Sequence, residues 1–123
     1  MQRNIYAALL RVAVMAIVGL VLVGFAGNAS AGETPAAQVT IDNFSFLPQT
    51  LIVHAGTTVT WINRDDIPHT VLSTDKTTIV SPALDTDEKF SYTFTTAGTN
   101  DYYCSVHPHM KGKVIVLPAE PTK

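Results

Sequence analysis

Short apolar runs separated by turn-forming residues make up the chain after residue 38. The run from Thr57 to Ile62 alternates threonine with apolar residues, and the run from Phe90 to Phe94 alternates aromatic residues with serine and threonine. A period of two places alternate side chains on opposite faces of a strand, so Val59 and Trp61 are expected on one face. No window in this part of the chain keeps the period of an amphipathic helix. The pattern therefore predicts strands throughout.

Six or seven short strands are predicted in this part of the chain, and β-branched and aromatic residues dominate them. The separators contain proline, glycine, asparagine and aspartate, which favour turns. Short strands at this spacing are typical of an all-β fold, either a β-sandwich or a small barrel. The stretch 74–87 has the weakest pattern and is expected to be a long connection with at most one short irregular strand. The predicted strands are residues 39–41, 51–53, 57–62, 90–94, 102–104 and 114–116.

The N-terminus has a different pattern. Arg3 and Arg11 precede an apolar run that ends at Phe25, and small residues follow as far as Ala31. This order is typical of a signal peptide helix, so residues 1–31 are expected to be removed near Ala31 and the protein to be periplasmic. A retained membrane anchor is the alternative, because no charged residue occurs between Arg11 and Glu33. The brevity of the apolar run favours cleavage, which would leave no stable membrane association.

The remaining chain fits one domain. The boundaries expected are a short flexible tail at 32–38, a domain at 39–118 and a C-terminal tail at 119–123. Of the 123 residues, 46% are hydrophobic and 15% charged, which argues against disorder. The net charge of −2 gives no basic stripe, so no nucleic-acid partner is predicted. A single cysteine cannot form an internal disulfide, and an exported free thiol calls for another role, such as metal ligation.

Residues 102–113 read YYCSVHPHMKGK and contain the only cysteine and two of the four histidines. Cys104, His107 and Met110 are spaced as Cys-x2-His-x2-Met, and His69 lies between two predicted strands in IPHT. Two imidazoles, one thiolate and a weak thioether are the ligands of a mononuclear copper electron-transfer centre. Zinc at Cys-His-His is an alternative, since tetrahedral sites with nitrogen and sulfur ligands suit it.

Each of these residues has a simpler interpretation when it is taken alone. A lone cysteine is usually a small buried hydrophobe, a lone histidine a surface residue, and a lone methionine a filler of core gaps. Their joint occurrence beside a strand end favours a metal site over packing. A cysteine nucleophile with a histidine base would leave Met110 unexplained, so the protein is predicted not to be an enzyme.

Two segments carry a resemblance to a known family: FSFLPQTLIVHAGTTVTWINRDDIPHT and GTNDYYCSVHPHMKGKVIV. They resemble the cupredoxin (type 1 blue copper) family, and within it the amicyanin-like and plastocyanin-like members most. The resemblance covers roughly Val39 to Leu117. It implies a Greek-key β-sandwich, one copper ion per chain, and one-electron transfer between transient redox-protein partners by a monomer. The ligands it implies are His69, Cys104 and His107 in the plane and Met110 on the axis.

The sequence departs from the family pattern at two positions. Thr70 stands where many members have an asparagine that ties the two ligand loops together, so either the threonine hydroxyl substitutes or the tie is weaker. His109 stands where amicyanins have an aromatic residue. It is expected to be exposed beside the electron exit rather than to bind the metal.

A second function remains open on the same ligands, namely periplasmic copper binding and delivery. The tail AEPTK has neither methionine nor histidine, which favours electron transfer over delivery. Five acidic residues are expected to be solvated surface groups that can steer a basic partner. These residues are Asp65, Asp66, Asp85, Asp87 and Glu88.

Overall fold

The computed structural model describes residues 35–122, and these residues form eight strands. The predicted signal peptide at 1–31 and residues 32–34 of the predicted tail lie outside the described residues, whereas the last three residues of that tail, 36–38, belong to a strand. Within the described part, no helix is long and apolar enough to cross a membrane. The strands are β1 (Ala36–Asp42), β2 (Ser45–Leu47), β3 (Thr50–His54), β4 (Thr57–Asn63), β5 (Leu72–Ser73), β6 (Lys89–Phe94), β7 (Gly98–Tyr103) and β8 (Lys111–Leu117).

The strands form two four-stranded sheets. One sheet has the order β2-β1-β4-β6 and the other has the order β3-β8-β7-β5. The β1/β4 and β3/β8 pairs are parallel, whereas the other neighbours are antiparallel. Consecutive strands repeatedly change sheet, as in the predicted Greek-key β-sandwich. The fold class expected from the resemblance is therefore confirmed.

The alternation along β4 has the expected structural effect. Val59 and Trp61 are fully buried and face the second sheet. The intervening threonines point to the outer face, where the Thr58 and Thr60 hydroxyls each bond a hydroxyl of β6 at 2.7 Å. Cross-strand pairs of this kind stabilise antiparallel neighbours. Strand β4 thus contributes buried side chains to the core and hydroxyl–hydroxyl hydrogen bonds to the outer face of its sheet.

The two sheets meet through aromatic side chains. Trp61 on β4 and Tyr102 on β7 pack edge to face with their ring centroids 5.5 Å apart. Phe46 on β2 packs against the same tyrosine at 4.8 Å, and Gly112 lies opposite it on β8. Within the described residues, neither the indole nitrogen of Trp61 nor the hydroxyl of Tyr102 has a hydrogen-bond partner. The centre of the sandwich is therefore held by packing rather than by polar contacts.

All six strands that the sequence located are present among the eight observed, and two others, β2 and β5, were not located. The strands β2 and β5 have only three and two residues, too few for an alternation to be recognised. The connection after β5 contains two isolated bridges, at Val80 and Leu84, and otherwise no strand. Its prediction as a long connection is confirmed. Cys104 was expected to end its strand, but β7 ends one residue earlier, at Tyr103.

Candidate metal centre

Two loops that lie far apart in the sequence bring three soft or borderline donor atoms together at one end of the sandwich. His69 follows β4, whereas Cys104 and His107 follow β7. The Nδ1 atoms of the two histidines lie 3.8 and 3.7 Å from the Cys104 sulfur, and the three donor atoms lie within 4.8 Å of one another. His69 and Cys104 are fully buried, and His107 is half-buried. The cluster therefore has one edge towards solvent.

The spacing of these atoms fits a single shared ion. Metal–nitrogen bonds of about 2.0 Å and metal–sulfur bonds of about 2.3 Å, at tetrahedral to trigonal angles, would separate nitrogen from sulfur by about 3.5–3.7 Å. The observed separations of 3.7 and 3.8 Å lie at the upper end of this range or just above it. Thiolate and imidazole donors suit copper and zinc rather than magnesium or calcium.

The loop that carries two of these residues is closed by its own backbone. The N–H of Cys104 donates to the carbonyl of Met110 at 3.1 Å, and the N–H of Met110 donates to the carbonyl of His107 at 2.9 Å. Met110 is thereby fixed beside Cys104, and its side chain is buried in the same hydrophobic cluster. The second ligand loop therefore carries a buried thioether as well as the thiolate and one imidazole.

The backbone of His69 is held by the long connection that follows β5. The N–H of His69 donates to the carbonyl of Leu84 at 3.1 Å, and the N–H of Leu84 donates back at 2.8 Å. The buried Asn63 donates from its side chain to the carbonyls of Ile67 and Leu84, both at 2.8 Å. The loop between Asn63 and His69 is therefore fixed without any metal contact.

Asp65 sets the proton position of His69. Its carboxylate lies 2.7 Å from Nε2 of that imidazole. A carboxylate only accepts hydrogen bonds, so Nε2 carries the proton and Nδ1 presents its lone pair to the cluster. Burial opposes ionisation of Asp65, but the bonds from the Phe44 N–H, the His69 ring and the Asn43 N–H together lower the pKa of its carboxyl. The ring is thus fixed in the tautomer that a ligand needs.

Thr70 ties the two ligand loops together. Its hydroxyl accepts the Ser105 N–H at 2.8 Å and bonds the Ser105 hydroxyl at 2.7 Å. Its own N–H points at the Cys104 sulfur at 3.4 Å. Of the two alternatives left open by the sequence, the structure supports the first, because the threonine hydroxyl forms the link.

The environment of Cys104 favours its ionised form. Burial alone would raise the pKa of the thiol, but donation from the Thr70 N–H and contacts with His69 and His107 outweigh it and lower the pKa from 9.0 to about 6. Thiolates rather than thiols bind metals. The site is therefore close to its metal-binding charge state at neutral pH.

We expect the stability of the metal-free protein to depend on pH through Cys104. Because the folded-state pKa lies below the unfolded one, the stabilisation is complete above about pH 9 and is lost as pH falls to about 6. The free energy of unfolding should rise across this window by on the order of 1 kcal/mol per pH unit. Thiolate ultraviolet absorbance and denaturant titrations at several pH values measure both quantities. In Cys104→Ala the slope should disappear, and a thiol midpoint near 9 in the folded protein would contradict the assignment.

An exposed aromatic residue completes the solvent side of the site. Phe44, in the turn between β1 and β2, is 52% exposed. Its ring packs edge-on against His69 and His107, with centroid distances of 5.7 and 5.2 Å. Sequence reasoning missed this residue, because nothing in its local pattern separates it from the core aromatics nearby.

The predicted site residues are found in three kinds of environment. The structure brings His69, Cys104 and His107 together and buries Met110 beside them. His109 is exposed and lies outside the cluster. The expectation that Asp65 is a solvated surface charge is wrong, because its side chain is only 10% exposed and is bonded to His69.

The chain is similar to proteins of known family. Residues 14–116 match the family model of the cupredoxin-like domain. The chain is 44% identical over 70 residues to amicyanin of Paracoccus denitrificans, which covers 54% of this chain and 53% of that protein. It is 36% identical over 93 residues to amicyanin-alpha of Methylorubrum extorquens, which covers 72% of this chain and 76% of that protein. The chain thus spans about half the length of the first relative and three quarters of the second.

Solved structures show the same likeness. A structure of the Cu(I) form of an amicyanin mutant superposes with a TM-score of 0.63 at 36% identity, and covers 72% of this chain and 88% of that one.

Proposed function

Because this chain belongs to the cupredoxin family, we propose that it binds one copper ion and carries single electrons between redox proteins. The observation that supports this most is the buried cluster of His69, Cys104 and His107, with nitrogen–sulfur separations that suit one ion. The similar amicyanin structure is a Cu(I) form, which supports copper over zinc. The proposal gives the chain no substrate chemistry of its own.

Met110 is proposed as the fourth, axial ligand. Its backbone is bonded to Cys104, and its side chain is 5% exposed in the same hydrophobic cluster as Cys104, so the thioether is shielded from water. A soft thioether favours Cu(I), and the imidazoles suit both oxidation states. Bound copper supplies the one-electron couple, and the chain's part is to hold the donors still. When the donor side chains move little as the ion gains or loses an electron, the reorganisation energy of electron transfer is small.

The hydrogen bonds around the donors provide this rigidity. Asp65 orients the His69 ring, Thr70 joins the two loops, and the backbone bonds of Met110 close the second loop. Each of these contacts is made by the protein alone. The half-buried His107 is the donor nearest to solvent, so we assign electron exchange to its edge.

The remaining parts of the proposal concern location and partners. The N-terminal pattern supports export to the periplasm with cleavage near Ala31. The protein acts as a monomer that makes transient contacts with an electron donor and an electron acceptor. The partly exposed edge of a single ligand supports a small contact, and redox encounters use small interfaces. Copper delivery, the second function left open by the sequence, has no separate structural feature in its favour among residues 35–122.

The deciding experiment is to add Cu(II) to the protein expressed as residues 32–123. We expect an intense blue thiolate-to-copper band that ascorbate bleaches and oxygen or ferricyanide restores, at one copper per chain. Nuclear magnetic resonance line broadening of mixed Cu(I) and Cu(II) protein should then show fast electron self-exchange. A colourless protein with copper bound would overturn the proposal, whereas a blue protein with slow self-exchange would favour delivery.

A further inference from the structure

The two-residue turn between β1 and β2 has an unusual conformation for its sequence. Asp42 pairs with Ser45, and both residues between them have positive φ, 48° at Asn43 and 55° at Phe44. Two-residue hairpin turns of this kind favour asparagine followed by glycine. Asparagine tolerates the left-handed region, but a bulky residue such as phenylalanine is strained there.

Strain of this kind persists only where surrounding structure imposes it. Here the restraint is the carboxylate of Asp65, which accepts the N–H of Asn43 at 2.6 Å and the N–H of Phe44 at 3.0 Å. The first bond goes to Oδ1 and the second to Oδ2. The turn is therefore held by a side chain from the loop that carries His69.

The same carboxylate also serves the metal site. Its Oδ2 atom lies 2.7 Å from Nε2 of His69, so one group accepts two backbone donors and one ring donor. Phe44, held by these bonds, packs edge-on against both His69 and His107 although half of its surface is exposed. The strained backbone thus places an apolar ring over the imidazole edges.

We propose that Asp65 is a positioning residue that couples the His69 imidazole to Phe44, and that the Phe44 ring is a lid which limits the access of water and small solutes to the two histidines. The inference rests on the proposed function only in treating His69 and His107 as ligands. The turn then serves to place a ring over the two imidazoles, and a glycine at position 44 would not shield them.

The coupling is tested in the Zn(II)-loaded protein, where the diamagnetic ion permits nuclear magnetic resonance. In Asp65→Asn we expect amide exchange of Asn43 and Phe44 to accelerate at least about tenfold, since charge-assisted bonds are lost. The cross-relaxation between the Phe44 ring and both imidazoles should disappear, as should the slowly exchanging Nε2 proton of His69. Asp66→Asn is the matched control, because Asp66 is exposed and the three bonds go to Asp65 instead.

The lid is tested by the rate at which a chelator removes the zinc. Phe44→Gly keeps the N–H donor and relieves the positive φ, so the turn and the His69 proton signal should persist. Metal loss should nevertheless accelerate several-fold. Leu47→Ala is its control, because Leu47 is similarly exposed, at 50%, in the same hairpin. If Asp65→Asn does not fold, Phe44→Gly still decides whether the ring is a lid.

Two results would overturn the inference. One is an Asp65→Asn protein whose amide exchange and ring contacts match those of wild type or change equally in Asp66→Asn. The other is equal metal loss from Phe44→Gly and Leu47→Ala. Both readouts use zinc, so a failure of the blue copper assignment would leave them unaffected and would be recognised separately.

Discussion

Replacing Cys104 with serine is expected to abolish the blue colour of the copper protein completely. The colour requires a thiolate donor, and a serine hydroxyl stays protonated and hard beside a soft ion. Copper affinity should fall by more than the roughly 100-fold that loss of an outer hydrogen-bond partner costs. Visible absorption and competition against a chromogenic copper chelator measure the two effects.

Two further variants make this result specific to Cys104. Met110→Leu removes only the proposed weak axial donor, so the protein should stay blue, with a changed reduction potential. His109→Ala removes an exposed histidine outside the cluster and should change neither colour nor affinity. A Cys104→Ser protein that retained the blue band, or a His109→Ala protein that lost it, would contradict the assigned ligands.

Gly112→Ala is expected to destabilise the protein by about 3 kcal/mol, although it adds only one methyl group. A Cβ at Gly112 would overlap the ring and hydroxyl of Tyr102, which lies opposite it on β7. The ring has little room to move, because Phe46 and Trp61 pack edge-on against it. Such a loss is a large share of the roughly 5–15 kcal/mol that stabilises an ordinary domain. Denaturant unfolding of the zinc-loaded protein measures it.

A double-mutant cycle distinguishes this clash from a general intolerance of β8. In a Tyr102→Ala background the methyl group has space, so adding Gly112→Ala should cost little. Lys113→Ala, one residue further along the same strand, should change the stability by less than about 0.5 kcal/mol because the site is not part of the core. The same loss in both backgrounds would show that the Tyr102 ring is not the cause.

The parts of the fold that could be predicted from the sequence are those with local periodicity. The alternation from Thr57 to Ile62 predicted which side chains of β4 are buried, and the structure confirms it for Val59 and Trp61. Three of the four predicted ligands were recognisable because Cys-x2-His-x2-Met combines residue types whose joint spacing packing does not explain. In both cases the signal lies within a few consecutive residues.

The contacts that hold the site were not predictable in the same way. Asp65 was expected at the surface, because an acidic residue in a polar loop usually lies there, and only the fold brings it to the Asn43–Phe44 turn. Phe44 lacks a local signal because its role comes from contact with His69, which lies 25 residues later in the chain, and not from the residues beside it. The hydroxyl of Thr70 acts through Ser105, which lies on the other ligand loop. All three depend on tertiary proximity.

The origin of the donors in two separate loops has a further consequence. His69 lies in the loop between β4 and β5, whereas Cys104 and His107 lie in the loop between β7 and β8, so an ion shared among them would cross-link the two loops. A small domain with a single cysteine has no covalent crosslink available, and metal coordination supplies a reversible one. With free metal at roughly 1,000 times the dissociation constant this linkage is worth about 4 kcal/mol. Copper supply would then govern how long the folded protein survives as well as whether it can carry electrons.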